Sequence, residues 1–284
     1  MNQKHIHHPN KQELLLLKSA IAMHGSHVDI SRYDETFFVK MLHRRMKETL
    51  CQAFGDYFLL IEKSLDEASR FIESFQISYS AFFRNLLTYS VLERIVLPLL
   101  VQKQKDRKAS EVRIWSCACA AGQEPYSLAI LMEEIKERRQ ETTKYRIFAT
   151  DQSQLHVHQA QEGKYMAADL DNVTLKRAST WFDKNDSSYL VKQELKKNID
   201  FSVFDLFNEQ YSSPPASIFG DFDLVVCANL LFYYKNEERE KILEKVSNGL
   251  RKDGFLITGE TERAILMQYG YKEVYAQSGV FIRR

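Results

Sequence analysis

A chain of 284 residues is long enough for one large or two smaller domains, and 44% apolar with 27% charged residues is ordinary for a globular protein. Its formal net charge of +1 predicts no whole-protein attraction to nucleic acid or to an anionic membrane. No apolar run approaches the ~20 residues of a spanning helix, and four cysteines in this length make no disulfide framework.

The polar start, residues 1–10, does not read as a signal peptide. His5, His7 and His8 read as a disordered head, and no metal site is expected. Residues 11 to about 75 read as wholly helical. Leu14 to Leu17 open the first apolar face. Asp34 or Ser31 caps a second helix whose apolar positions are Phe38, Met41, Leu42, Met46 and Leu50. Lys40, His43, Arg44 and Lys47 share one face of that helix, and Arg45 adds to the cluster. By charge alone this is a solvated face; the alternative is a docking surface for an acidic partner. A third helix, about Asp56 to Glu73, completes a small bundle, so residues 1–75 form a helical domain. Residues 76–110 connect it to the rest. Ser78 to Asn85 precedes an apolar helix through Leu100, and residues 102–111 read as an exposed charged turn. Arg84 follows two phenylalanines and is either a salt-bridge arginine or a ligand-facing one.

From residue 111 the pattern becomes α/β. Val112 to Ser116 is β-branched and aromatic, a strand. Cys117 to Gly122 is a run of small residues. From Pro125 the apolar residues Leu128, Leu131, Met132 and Ile135 recur at helical spacing, and Pro125 suits a first turn. A strand, a small-residue turn and a helix start make a nucleotide-type pocket. The loop lacks the Lys of a phosphate loop and the full G-x-G-x-x-G, and it carries Glu124. A carboxylate there opposes a phosphate and suits a cationic or hydroxyl-bearing ligand, such as the sulfonium, amine and ribose of S-adenosylmethionine. Cys117 and Cys119 read as small buried residues of a reducing cytoplasm, with a redox-sensitive loop as the alternative.

Tyr145 to Thr150 is the second strand and ends in Asp151, where nucleotide-binding folds hold ribose hydroxyls. Ser153 to Glu162 is a helix. Residues 165–204, including Ile199 to Val203, read as a small antiparallel insertion, followed by Asp205 and Leu206. Phe222 to Cys227 reads as a continuous apolar, buried strand; Ala228, Asn229 and Tyr233 follow its end. Asn236 to Leu250 is a helix, Gly254 to Thr258 a strand, and residues 271–276 with 280–283 a closing hairpin. No zinc, Cys-x-x-Cys or nucleophilic-serine constellation is present.

The assembled motifs resemble the CheR-type chemotaxis receptor methyltransferases. They are Ser80-Ala-Phe-Phe-Arg84, Trp115-Ser116 through Gly122-Gln-Glu-Pro-Tyr-Ser127, Ala149-Thr-Asp151, Phe222 through Asn229 with Tyr233, and Gly259-Glu-Thr-Glu262. The resemblance runs from about residue 27 to the end. It implies a Rossmann-like class I domain dependent on S-adenosylmethionine, with an antiparallel β-subdomain inserted, preceded by a small all-α domain. It implies transfer of methyl to glutamate side chains of chemoreceptors, with S-adenosylhomocysteine as product. By motif, Ser78, Ser80 and Arg84 reach the cofactor's methionine end, with Gly122 in its loop. Glu124 and Asp151 contact its ribose or amino group, Asp205 and Leu206 flank the adenine, and Ala228 and Asn229 lie near the sulfonium. Arg84 and Tyr233 are the catalytic candidates, beside the reacting methyl and the incoming carboxylate. Lys40, Arg44, Arg45 and Lys47 match the substrate-contacting helix. The implied partner is the acidic, helical cytoplasmic domain of a chemoreceptor, met by a cytoplasmic monomer with no nucleic-acid partner and no membrane insertion.

The chain departs from the family where Ser78 and Ser80 stand for Asn and Thr, Gln123 for Glu, Asp205 for Asn and Ala228 for Arg; Cys117 and Cys119 replace small non-thiol residues. These departures motivate alternatives: a cofactor-binding scaffold with decayed catalysis, or methylation of a non-receptor acidic protein. An NAD-dependent oxidoreductase is disfavoured by the missing glycine fingerprint.

Overall fold

The structure, a computed structural model, describes residues 9–23, 29–75, 79–217 and 219–283. His5, His7, His8 and Ser78 lie outside the described residues. The chain divides into two units: the chain up to residue 77 together with 232–238, and residues 78–231 together with 239–284.

The first unit is helical: α1 (Lys11–Met23), α2 (Glu35–Glu48), α3 (Phe54–Lys63) and α4 (Leu65–Glu73). Asp34 starts α2 because its carboxylate accepts the N–H groups of Thr36 and Phe37. The third helix expected over 56–73 is broken into two at Ser64. That residue ends α3 in extended backbone (φ −126°, ψ 105°), and its hydroxyl caps α4 by accepting the Glu67 N–H. The apolar period hides this break because Ile61, Ala68 and Phe71 stay fully buried on both sides of it. Aromatic rings fill the core: Phe71 lies edge-on to Tyr57 at 5.9 Å and to Phe75 at 5.1 Å.

The second unit opens with one continuous helix in three parts: α5 (Leu86–Val91), a π-helical stretch Leu92–Val96, and α6 (Leu97–Asp106). Pro98, early in α6, has no N–H to return to the preceding turn, and the helix widens just before it. The helix runs to Asp106, so half of the stretch expected as an exposed turn is its last turn.

The chain then alternates. It forms β1 (Val112–Cys117), α7 (Gln123–Arg139), β2 (Tyr145–Asp151) and α8 (Gln154–Glu162). There follow β3 (Lys164–Met166), α9 (Leu175–Trp181), β4 (Phe182–Asn185), β5 (Ser188–Val191), α10 (Gln193–Lys196) and β6 (Ile199–Val203). It ends with β7 (Phe222–Val226), α11 (Asn236–Gly249), β8 (Leu250–Ile257), α12 (Arg263–Gln268), β9 (Tyr271–Glu273) and β10 (Val280–Arg283). The main sheet has the order β6-β2-β1-β7-β8-β10-β9, with β10 antiparallel to its neighbours and the other pairs parallel. Helix α6 packs on β1, and α8 on β2 and β6. The order reverses between β1 and β7, which is where ligands bind in open α/β sheets.

Two further readings of the sequence need correction. Ile199–Val203 is not part of the antiparallel insertion; it is the parallel edge strand β6, with Ile147 opposite Ile199. A five-residue strand carries no signal of its partner, and this partner lies some fifty residues earlier. The insertion is the three-stranded sheet β3-β5-β4. Strand β7 is buried but not wholly apolar: Asp223, 1% exposed, accepts the Arg113 N–H at 2.9 Å and pairs with Arg107 and Arg251. Paired charge makes that burial tolerable.

Candidate active site

The loop after β1 sits in an unusual backbone. Ala118, Ala120 and Gly122 alternate in the left-handed region, with φ of 54°, 47° and 94°. Several contacts hold it there. The Cys119 N–H donates to the Thr150 carbonyl at 2.8 Å, and the Ala120 N–H to the Asp151 carboxylate at 2.9 Å. The Tyr165 hydroxyl donates to the Ala121 carbonyl at 2.7 Å. Short side chains are therefore required by the turn itself. At Gly122 a Cβ would lie 2.9 Å from the Ala160 Cβ and 3.1 Å from the Tyr165 hydroxyl, so close packing under α8 and the positive φ account for this glycine. Cys117 and Cys119 are each 1% exposed, and burial pushes both thiols well above their usual range, which makes them unreactive.

Glu124 stands in the first turn of α7. One oxygen, Oε1, accepts the Ser116 hydroxyl at 2.7 Å; Oε2 accepts nothing among the described residues. Burial pushes its carboxyl up to about 8; the Ser116 bond and the Arg84 charge pull the other way, and the Glu262 charge adds to the rise. It is a half-buried acid one acceptor short of satisfied. Its neighbour Gln123 is also buried, with Oε1 unpartnered among the described residues. Leftover acceptors at the start of a helix are unfavourable by themselves and suit a ligand rich in donors. An ammonium and ribose hydroxyls are such donors, so these residues fit S-adenosylmethionine.

Asp151 ends β2 and is 7% exposed. Its Oδ2 accepts the Ala120 N–H, and its Oδ1 accepts the Ser153 N–H at 2.9 Å and faces His156 Nδ1 at 3.3 Å. The aspartate thus fixes the β1 loop and α8 while keeping acceptor capacity. His156 went unnoticed in the sequence because a lone histidine in a helix carries no pattern.

Beyond β7, Ala228 and Asn229 are partly exposed, and Asn229 is left-handed at φ 60°. Glu262 decides this loop's shape. Fully buried, its carboxylate accepts the N–H groups of Asn229 and Leu231, both at 2.6 Å, and of Gly259 at 3.0 Å, together with the Thr258 hydroxyl at 3.0 Å. A Cβ at Gly259 would lie 2.5 Å from the Asn229 side-chain nitrogen and 2.9 Å from Glu262 Oε2, so a larger residue would displace both side chains. The Gly259-Glu-Thr-Glu262 motif was legible, but its work as a loop anchor was not.

After β6, the exposed Asp205 accepts the Phe207 N–H at 2.9 Å, while Leu206 is buried. Ser80 is partly exposed. Arg84 is exposed; its guanidinium donates to the Tyr79 carbonyl at 3.0 Å and lies 4.9 Å from the Tyr79 ring. The structure therefore brings Gly122, Glu124, Asp151, Asp205, Leu206, Ala228 and Asn229 to the C-terminal ends of four parallel strands in one unit. Ser80 and Arg84 belong to that unit too.

Tyr233 and the basic helix fall in the helical unit. Tyr233 packs on Phe37 at 4.8 Å, and its carbonyl accepts the Asp34 N–H at 2.8 Å. Arg45 is not a free surface cation. Its guanidinium binds both oxygens of the buried Glu67 and pairs with Glu48. Arg44 shares Glu48 at 3.1 Å. Lys40 and Lys47 are exposed, with no ion pair among the described residues.

Residues 78–279 match the family described as CheR methyltransferase, SAM binding domain. Named relatives agree. A "Chemotaxis protein methyltransferase" of Listeria innocua serovar 6a is 32% identical over 239 residues, covering 84% of this chain and 85% of that protein. One of Borreliella burgdorferi is 28% identical over 83% of this chain and 82% of its own length, and one of Escherichia coli K12 is 29% identical over 78% and 74%. Strand order, acid placement and family match converge: this chain belongs to the CheR methyltransferase family and is an S-adenosylmethionine-dependent methyltransferase.

Proposed function

We propose that the protein methylates glutamate side chains on the acidic, helical cytoplasmic domain of a chemoreceptor, and so serves adaptation in chemotaxis. The observation that carries this reading is the half-satisfied Glu124, with Asp151 and Asn229 after the two neighbouring strands, at the strand ends of a domain that matches the CheR family. The reading makes it a cytoplasmic monomer.

The cofactor supplies a sulfonium methyl already activated for attack. A glutamate carboxylate is already ionised at pH 7, so no general base is required. The protein's work is alignment and exclusion of water, and such positioning is worth roughly 7–11 kcal/mol of a barrier. Glu124 and Asp151 hold donors of the cofactor, and Asn229, fixed by Glu262, borders the reacting centre. Asp205 and Leu206 flank the adenine. Arg84 reaches the methionine end of the cofactor and is the cation that draws the substrate carboxylate in. Lys40, Arg44 and Lys47 offer charge to an acidic helix; Arg45 supports the helix that displays them.

The test is calorimetric titration with S-adenosylhomocysteine on the wild type, Glu124→Ala and Asp151→Ala, followed by methyl transfer to a receptor cytoplasmic fragment. Micromolar binding that weakens in both variants, with turnover by the wild type, is expected. A folded wild type that binds no cofactor refutes the reading.

A further inference from the structure

The turn that carries Arg84 is built at a conformational cost. Phe83, directly before it, has φ 49°, an unfavourable region for a bulky aromatic residue. Burial alone does not demand this, because a buried plug can be made in ordinary extended or helical backbone. Something must hold Phe83 there, and three contacts do. Ser127 Oγ accepts its N–H at 3.1 Å. Tyr89 meets its ring edge-on at 5.2 Å. The Arg177 guanidinium lies over the ring, 4.5 Å from its centroid.

Arg177 comes from α9, inside the insertion, and is itself fixed. It donates to both carboxylate oxygens of Glu134 on α7, at 2.9 and 2.7 Å, and to Glu93 at 2.9 Å. The inserted sheet also grips the preceding residue. Phe82 is fully buried, edge-on to Tyr165 of β3 at 4.9 Å and to Phe182 of β4 at 5.4 Å. The same Tyr165 bonds the Ala121 carbonyl in the loop after β1. One small sheet with its helix therefore touches both the Arg84 turn and the Glu124 loop.

We infer that Arg177 is a positioning residue of the methyltransferase: clamped by Glu134 and Glu93 and stacked on Phe83, it holds the left-handed turn that aims Arg84 at the methionine end of the cofactor. The inserted subdomain is then part of the cofactor site's support as well as an appendage to it. This rests on the proposed role of Arg84. A residue that only stabilises the fold adds its loss to that of Arg84→Ala; one that acts through Arg84 adds nothing once the arginine is gone.

The experiment is a double-mutant cycle read by titration with S-adenosylhomocysteine, using wild type, Arg177→Met, Arg84→Ala and the double variant. Loss of a charge-assisted contact at Arg84 should loosen binding about ten-fold. Arg177→Met should loosen it comparably, and the double variant should bind as Arg84→Ala does. Phe83→Leu, which keeps the plug apolar but removes the stacked ring, runs the same cycle should Arg177→Met not fold. Additive losses in the double variants, or an Arg177→Met and a Phe83→Leu that bind like wild type, overturn the inference. Wild type that fails to bind refutes the methyltransferase reading instead, and an Arg84→Ala that binds normally refutes the role of Arg84.

Discussion

Burial pushes the Glu124 carboxyl up to about 8 in the free protein, outweighing the Ser116 bond and the Arg84 charge that pull it back. At pH 7 about nine-tenths of free molecules therefore hold it protonated. A ligand ammonium or ribose hydroxyl placed against its vacant oxygen favours the carboxylate. Binding of S-adenosylhomocysteine at pH 7 should then release about 0.9 proton from this group. If the bound carboxyl returns to its usual 4.5, affinity tightens roughly 50-fold between pH 6 and pH 8. The assay is calorimetric titration in phosphate and in Tris at one pH, where the slope of observed heat against buffer ionisation heat counts protons. Glu124→Gln should lose the release and flatten the affinity profile. For folding the sign is opposite: the folded carboxyl lies above its unfolded value, so its contribution is full below about pH 4.5 and is lost as pH rises through about 8. The free protein should thus lose stability over that window, and Glu124→Gln should lose less. Equal proton release by wild type and Glu124→Gln would refute the reasoning.

Arg84→Ala should cut methyl transfer by about 100-fold or more, the scale of a lost transition-state donor, while cofactor affinity falls far less; equal losses in both would remove its catalytic role. Glu262→Ala strands the N–H groups of Asn229, Leu231 and Gly259. It should cost at least about 3 kcal/mol in urea unfolding, and an unchanged midpoint would refute the anchor. Arg45→Ala leaves the buried Glu67 without its countercharge, with only the Tyr57 hydroxyl donating to it among the described residues, and should cost about 3–5 kcal/mol. Lys40→Ala and Lys47→Ala should stay within about 0.5 kcal/mol of wild type yet raise the KM for an acidic receptor fragment, most at low salt. A stable Arg45→Ala, or lysine variants with unchanged KM, would reverse this division of the basic face.

Much of the candidate site was legible because it is local. The small-residue loop, Glu124 three residues before Ser127, and Asp151 at a strand end are patterns within one strand–turn–helix unit, and backbone geometry permits few alternatives there. Asp34 as a cap was legible for the same reason. The family resemblance added the order of the motifs, and the match over residues 78–279 agrees with it. What stayed hidden depends on partners distant in sequence. Ile199–Val203 reads as a strand, but only pairing with β2 decides its sheet. Arg45 reads as surface charge until Glu67, twenty-two residues on, closes over it. Glu262 reads as one more motif acid until its carboxylate meets the loop after β7. Ser64 breaks a helix without disturbing the apolar period.

The sequence by itself determined the fold class, the small-residue loop after β1 and the placing of Glu124 and Asp151 at strand ends, because side-chain period, turn chemistry and motif spacing are written along the chain. The tertiary structure decided which charges are spent on folding and which remain for a ligand. Burial and pairing belong to neighbours in space: they leave Glu124 protonated with one oxygen vacant, take Arg45 into the bundle, and set Arg177 against Phe83 behind Arg84.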